Sequence, residues 1–516
     1  MSDAPQAVPS ASSEPEVSSA VHAPPPGLVE ASSTRPSNRW VVLVIACLAQ
    51  FMVVLDTTVV NVALPSIQRG LHFSAANLQW VVNSYTLIFG GFLLLGGRAA
   101  DLIGRKRLFV AGVALFSLAS LLNGLAQSSG MLVVGRGLQG LGGALVSPAA
   151  LSIITTTFPE QDERTKALGV WSAIAAGGGA VGLLMGGLLT DLASWPWIFI
   201  VNVPVGAIAF ALAVRHVPES RAELGHRAFD LTGAVSVTAG LVVLVYAIVK
   251  AQAFGWGSSR TLGLGAAGLA LLALFVFLER RSVAPLMRLS IFRVRTLAVA
   301  DGVLLLVASG LFGMFFFASL YVQEILRYSP LRAGLAFLPV TGGIVIGAAL
   351  AQQLIRRFGV RNVSIAGISL AVAGMVVLTQ LPVHGSYSSD LLPGLMPMSI
   401  GMGLTFVPIT LLGTGGVTGE DAGLASGLFN TAQQVGGSLG LAILSTVAAS
   451  QTSGLLRGLG AGAGSAAQLA ARVSGYHVAF AAAAGMLAVG ALALMALRSH
   501  HVASLELEAA PSAAAA

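Results

Sequence analysis

Residues 40–64 read WVVLVIACLAQFMVVLDTTVVNVAL, a run of 25 residues whose charge is confined to Asp56. About 20 apolar residues at 1.5 Å each cross a hydrocarbon layer roughly 30 Å thick, so this stretch is a membrane-spanning helix. It is too long for the apolar core of a secretory signal, and no basic segment precedes it, so it is expected to stay in the protein. Similar runs follow to residue 498, and only 9% of the 516 residues are charged while 55% are apolar. A soluble domain carries roughly 25% charge. Lipid offers no hydrogen-bond partner to a backbone, so an all-helical integral membrane fold is expected.

Apolar runs bounded by charges, Gly/Pro clusters or polar turns place spans near 41–64, 77–97, 108–127, 131–154, 167–190 and 197–215. A second set lies near 230–249, 262–278, 297–320, 332–355, 362–381, 391–413, 422–448 and 475–497. This predicts fourteen helices. With both ends inside, twenty basic residues fall on inner segments, seven on outer ones and Arg136 within a span, which accounts for all 28. The asymmetry supports the count and puts both termini in the cytoplasm. Residues 1–38, rich in Pro, Ser and Ala, are expected to form a disordered cytoplasmic tail, and 499–516 a second one.

The net charge of +7 reports topology here, not nucleic acid. A single cysteine, Cys47, excludes a disulfide framework and reads as core filler. The eight histidines form no HExxH or comparable set, so no metal is expected. Lysine stands only at Lys106, Lys166 and Lys250, none of them in a phosphate-binding G-x-x-x-x-G-K-[ST] loop. Neither an intramembrane enzyme nor a sensor finds support, and with no nucleotide motor, energy must come from an ion gradient.

Asp56 lies some 15 residues into the first helix, about 22 Å from its inner end, and Arg136 about 8 Å into the fourth from outside. A carboxylate at the bilayer centre costs about 2.5–3.5 kcal/mol on insertion scales, so it faces a cavity or a partner. Asp56 is then either a structural pair with a neighbouring helix or a proton or cation site. Arg136 either meets it or snorkels to the outer interface. Burial favours a neutral carboxyl and a guanidinium favours a charged one, so a pair whose spacing changes would take up and release a proton. Asp301, a turn inside the ninth helix, is expected to pair with Arg293 or Arg295.

Several motifs now converge. LDTTVVNVALP (55–65), GGRAADLIGRKR (96–107), RGLQGLGGA (136–144), GGGAVGLLMGG (177–187), WPWIFIVNVPVG (195–206), YSPLRAGLAFLP (328–339) and GLASGLFNTAQQVGGSLG (423–440) resemble the marks of the 14-spanning drug:proton antiporter family of the major facilitator superfamily. The likeness covers roughly residues 40–498. It implies a six-helix bundle at 39–215, a linking region with two extra helices at 216–296 and a second bundle at 297–498. Sites in such folds lie near the midplane between halves, as is known for this superfamily. By resemblance Asp56, Asn61 and Arg136 take functional positions, with Asp56 and Arg136 coupling protons. Gly97, Arg98, Asp101, Gly104, Arg105 and Lys106 would form a conformational latch at the inner face, Asp101 and Arg105 reaching Asp162 or Glu163. Gly178, Gly182, Gly186 and Gly187 would pack the fifth helix as an antiport motif, although Leu183 stands where a proline is usual and Pro196 where an arginine is usual.

The implied function is a monomeric, proton-driven exporter of small amphipathic organic compounds, often cationic or aromatic, in a bacterial cell membrane. It needs no cofactor beyond the proton gradient. Export of one endogenous metabolite or antibiotic is the alternative. Asn61, Tyr85, Phe89, Gln139, Phe315, Phe316, Asn430 and Gln434 are candidate cavity residues, since aromatic faces and amides suit varied organic ligands; the aromatics among them equally suit a lipid-facing surface.

Overall fold

The structure, a computed structural model, describes residues 39–221, 230–282, 285–415, 417, 421–459 and 464–497. Both expected tails lie outside them. The described residues contain helices and no strand. Among the described residues, thirteen helices are long and apolar enough to cross a membrane. We name them α1 (Arg39–Gly70), α2 (Trp80–Ile103), α3 (Arg105–Gly124), α4 (Ser129–Thr157), α5 (Gln161–Leu192), α6 (Asn202–His216), α7 (Leu231–Phe254), α8 (Ser259–Arg281), α9 (Arg295–Leu320), α10 (Leu338–Leu378), α11 (Leu392–Thr414), α12 (Ala422–Leu459) and α13 (Ser465–Met495).

The expected fourteen spans meet thirteen helices because two of them, 332–355 and 362–381, fall largely on α10. Its 41 residues are interrupted at Gly359, where φ is 78° and ψ 159°, a conformation that glycine adopts without strain. Gly347 before this break and Gly367 after it both pack on residues 400–405 of α11. Twenty residues of straight helix would separate them by about 30 Å, so the chain doubles back at Gly359 and α11 receives both arms.

Local signals start the helices. Ser128, Asp230 and Ser258 cap α4, α7 and α8 by accepting the backbone N–H of Met131, Gly233 and Thr261. Gly104, with φ at 123°, turns the chain from α2 into α3 in one residue.

α1 to α6 pack on one another, as do α9 to α13. The seam between these groups is made by α2 on α12, α1 on α9, and α5 on the short helix Pro330–Ala336. α7 lies along the seam against α2 and α12, with α8 packed on α7. Leu262 and Leu269 of α8 are 61% and 59% exposed, so an apolar surface faces outward, as a lipid solvent requires.

Candidate functional site

Near the middle of α1, Asp56 is fully buried, and Arg136 of α4 is 1% exposed. They form a salt bridge through the Arg136 Nη1 and Asp56 Oδ2 atoms. Gln139, one helical turn after Arg136, donates from Nε2 to Asp56 Oδ1 at 2.6 Å and accepts from Arg136 Nη1 at 2.7 Å. Asn202 of α6 donates to the same Asp56 oxygen at 3.1 Å. From α3, Asn123 donates to Gln139 Oε1 at 2.8 Å, and Ser120 accepts from Gln139 Nε2 at 2.8 Å. The Arg136 Nε donates to the Val81 carbonyl of α2 at 3.0 Å.

Five helices therefore wire one carboxylate and one guanidinium into a closed polar network. Such a pair is tolerated in a low-dielectric interior only when its remaining hydrogen-bonding capacity is met, and three donors converge on the carboxylate. Arg136 does not snorkel. Its guanidinium lies 4.3 Å from the centroid of the Tyr85 ring and 5.7 Å from that of Phe199.

Beside this network lies a cavity of about 820 Å³. Its inner wall includes Val53, Thr57, Tyr85 and Phe89 from the first group of helices and Asn430 and Gln434 from the second. Its mouth carries Arg98, Asp101, Arg288 and Asp421. Tyr85 and Phe89 stack at 5.7 Å with ring planes 11° apart. The Tyr85 hydroxyl is buried without a hydrogen-bond partner among the described residues. Tyr85 thus touches both, lining the cavity and carrying the Arg136 guanidinium on its ring.

The opposite end of the seam is shut. Ser319 Oγ donates to the Asn61 carbonyl and Gln323 Nε2 to the Val62 carbonyl, each at 2.7 Å. Gly187 backs onto Pro330 and Leu331. Thr86 and Ser438 bond across α2 and α12.

Of the eight candidate cavity residues, Tyr85, Phe89, Asn430 and Gln434 line this cavity. Gln139 belongs to the Asp56 network, and Phe316 lines a separate pocket. Phe315 packs against Phe337 in the core, and Asn61 turns its side chain back to the Thr57 carbonyl of its own helix. These four thus lie off the lining, because the pattern of residue types does not reveal which face of a helix meets the seam. Residues the sequence reading did not select include Gln50 and Ser147, bonded at 2.9 Å in the cavity wall, and Asn202, Asn123 and Ser120 in the network. Lone polar residues inside apolar runs were the available signal.

Gly178, Gly182 and Gly186 face α1 at Val54, Leu55 and Val59, the turns that flank Asp56, whereas Gly187 faces Pro330. α5 runs as one helix through Leu183, which stands where the family's proline is usual. At the cavity mouth, Arg105 pairs with Asp101 at 3.1 Å and Lys106 and Arg107 engage Val214 and Glu219. Lys106 and Arg107 thus reach α6 and the residues just after it, while Gly97, Arg98 and Asp101 share the cavity lining with Asp421 and Gly427 of the second group. Glu163 pairs with Arg39 instead, and Asp162 is exposed. Gly97 and Arg98 line the cavity, the Arg98 Nε without a hydrogen-bond partner among the described residues.

Asp301 does not pair as expected. Both its carboxylate oxygens are buried without a hydrogen-bond partner among the described residues. It stands six residues after Arg295, which at 100° per residue points it away from the exposed arginine.

The profile of the Major Facilitator Superfamily matches residues 46–441. The chain belongs to that superfamily. It is 43% identical to the puromycin resistance protein of Streptomyces alboniger over 88% of this chain and 90% of that one. It is 40% identical to the cephamycin export protein of Amycolatopsis lactamdurans, over 82% and 87% respectively. The tetracenomycin C resistance and export protein of Streptomyces glaucescens is 35% identical over 84% of this chain and 81% of that protein. Among solved structures, a bacterial homologue of the human lysosomal transporter Spinster, inward-facing and unoccupied, shares the fold at a TM-score of 0.64 and 18% identity, covering 92% of this chain and 99% of its own. As a member of the superfamily, the chain is a multi-pass membrane transport protein.

Proposed function

We propose that this facilitator exports amphipathic organic compounds, with inward proton movement through Asp56 supplying the energy. The observation that carries the reading is the buried Asp56–Arg136–Gln139 network beside an organic-sized cavity, with Tyr85 lining the cavity and stacking on the Arg136 guanidinium. Resistance and export proteins among the relatives support the direction of transport. The basic cluster Arg98 to Arg107 supports a cytoplasmic cavity mouth, and in this reading both termini lie on that side.

In this reading a compound enters from the cytoplasm and stacks on Tyr85 and Phe89, with Asn430 and Gln434 available to its polar groups. Pressure on the Tyr85 ring is pressure on the guanidinium it covers. Once the bonds of Asn61 and Val62 to α9 part and the outer end opens, external water reaches Asp56. A proton there cancels the charge that holds Arg136, and the two helix groups rock back over the released compound. The groups α1–α6 and α9–α13 act as the moving halves, and the chain works as a monomer.

Ethidium and its uncharged analogues in proteoliposomes with an imposed proton gradient provide the test. Gradient-driven ethidium movement by the native chain, lost in Asp56→Asn, is the expected result. Movement that ignores the gradient, or that Asp56→Asn leaves intact, removes the coupling role.

A second reading, export of one antibiotic or metabolite, is favoured by relatives whose names each carry a single antibiotic. Resistance of a pump-deleted host to a panel of dyes and antibiotics separates the two: a single protected compound selects the dedicated exporter.

A further inference from the structure

A second pocket, of about 400 Å³, shares no residue with the cavity and lies at the opposite, shut end of the bundle. Phe316, Phe317 and Leu320 of α9 and Ala448 of α12 make its apolar wall. α7 closes it from the seam, held to α12 by Gln252, which donates to Ser453 at 3.2 Å. Two features mark it as more than a packing gap. The Ser445 hydroxyl, on a residue 4% exposed, lines the pocket without a hydrogen-bond partner among the described residues. A buried hydroxyl left unpaired is unfavourable unless a ligand or water meets it.

The charges in the pocket do not balance. Glu324 is matched by Arg472 at 3.1 Å and accepts from the Tyr476 hydroxyl at 3.3 Å. Lys250, in the lining, has no carboxylate partner among the described residues; its ammonium lies 5.8 Å from the centroid of the Tyr246 ring. One ammonium without a carboxylate, in a pocket whose wall is aromatic, fits a ligand with one acidic group and an apolar body.

We propose that this pocket binds an amphipathic anion, its carboxylate or phosphate on Lys250 and its chain against Phe316 and Phe317. Phospholipid and free fatty acid share that chemistry, and both reach the pocket beside the lipid-facing pair α7–α8. An occupant rests against Phe316 of α9 and Glu324 in the turn that continues it, within one turn of Ser319 and Gln323, whose bonds shut the outer end. The site thus places an anion next to the closure.

Native mass spectrometry of the full-length chain, delipidated in neutral detergent, provides the test. Phosphatidylglycerol, phosphatidylcholine, palmitate and palmityl alcohol are added separately. One retained copy of phosphatidylglycerol or of palmitate is expected, with the zwitterionic lipid and the alcohol held at least tenfold more weakly. The two anion arms tell a lipid headgroup from a free acid. Lys250→Gln is expected to erase this preference and Lys250→Arg to keep it, while Ser445→Leu lowers retention by filling the space. Retention of the neutral probes equal to the anions, or a Lys250→Gln chain that keeps the preference, overturns the proposal.

Discussion

The guanidinium of Arg136 lies over the ring of Tyr85, 4.3 Å from its centroid, and Tyr85 also lines the cavity. A cation over a desolvated aromatic face gains about 2 kcal/mol. The hydroxyl contributes little, since it has no partner among the described residues. Tyr85→Phe is therefore expected to fold and transport like the native chain, within about 1 kcal/mol of its stability. Tyr85→Ala removes the ring that lines the cavity and carries the guanidinium, and is expected to lose about 3–5 kcal/mol along with proton coupling. Unfolding midpoints in mixed micelles and proton flux in liposomes read the two effects; a Tyr85→Ala chain as coupled as Tyr85→Phe contradicts a role for the ring in coupling.

The salt bridge itself invites a double-mutant cycle. Removing one member of a buried pair strands the other charge, at a cost of about 3–5 kcal/mol. Asp56→Asn and Arg136→Gln are each expected to destabilise by that amount. The double variant is expected to be less destabilised than the sum by more than about 1 kcal/mol. Strict additivity in reversible unfolding shows that the two side chains do not interact.

Much of this network is legible in the sequence, because a charge inside an apolar run has to find a partner and Asp56 and Arg136 lie at compatible depths. Gln139 was expected in the cavity, because an amide one turn after Arg136 suits a ligand as well as it suits the carboxylate. Asn202, Asn123 and Ser120 are not legible, since neutral polar residues are tolerated at many helix contacts and nothing in their spacing says which face they occupy. The cavity was half visible for the same reason: Tyr85, Phe89, Asn430 and Gln434 lie on it, yet Phe315 and Phe316 on α9 turn elsewhere. Helix positions were readable from apolar length, whereas the arrangement at Gly359 depends on one backbone conformation.

Closure of the outer end rests in part on Ser319 and Gln323 bonding to α1 carbonyls. Interhelical hydrogen bonds in membranes are worth about 0.6 kcal/mol on average and up to about 1.7. Ser319→Ala with Gln323→Leu is thus expected to shift the open-to-closed ratio by roughly 5- to 30-fold, an energy of about 1–2 kcal/mol. Spin labels at Arg69 and Arg332, both exposed at that end, report the distance in a Cys47→Ser background. A distance distribution unchanged by the double substitution means that packing alone keeps the end shut.

The glycines of α5 make a sharper test because two of them differ only in what they face. A Cβ at Gly186 would stand 2.7 Å from the Val59 carbonyl oxygen and 3.0 Å from the Val59 Cα, and backbone atoms inside a packed helix cannot step aside. One at Gly177, about two and a half turns closer to the start of the helix, would meet nothing within 4 Å. Gly186→Val is expected to push α5 from α1 at the level of the Asp56 turn, costing about 1–3 kcal/mol from overpacking and abolishing gradient-driven transport. Gly177→Ala is expected to leave transport intact and to stabilise the helix by about 0.5–1 kcal/mol. Thermal unfolding in micelles, paired with transport in liposomes, separates close packing from helix propensity. If both substitutions act alike, the contact of α5 with α1 is not what positions Asp56.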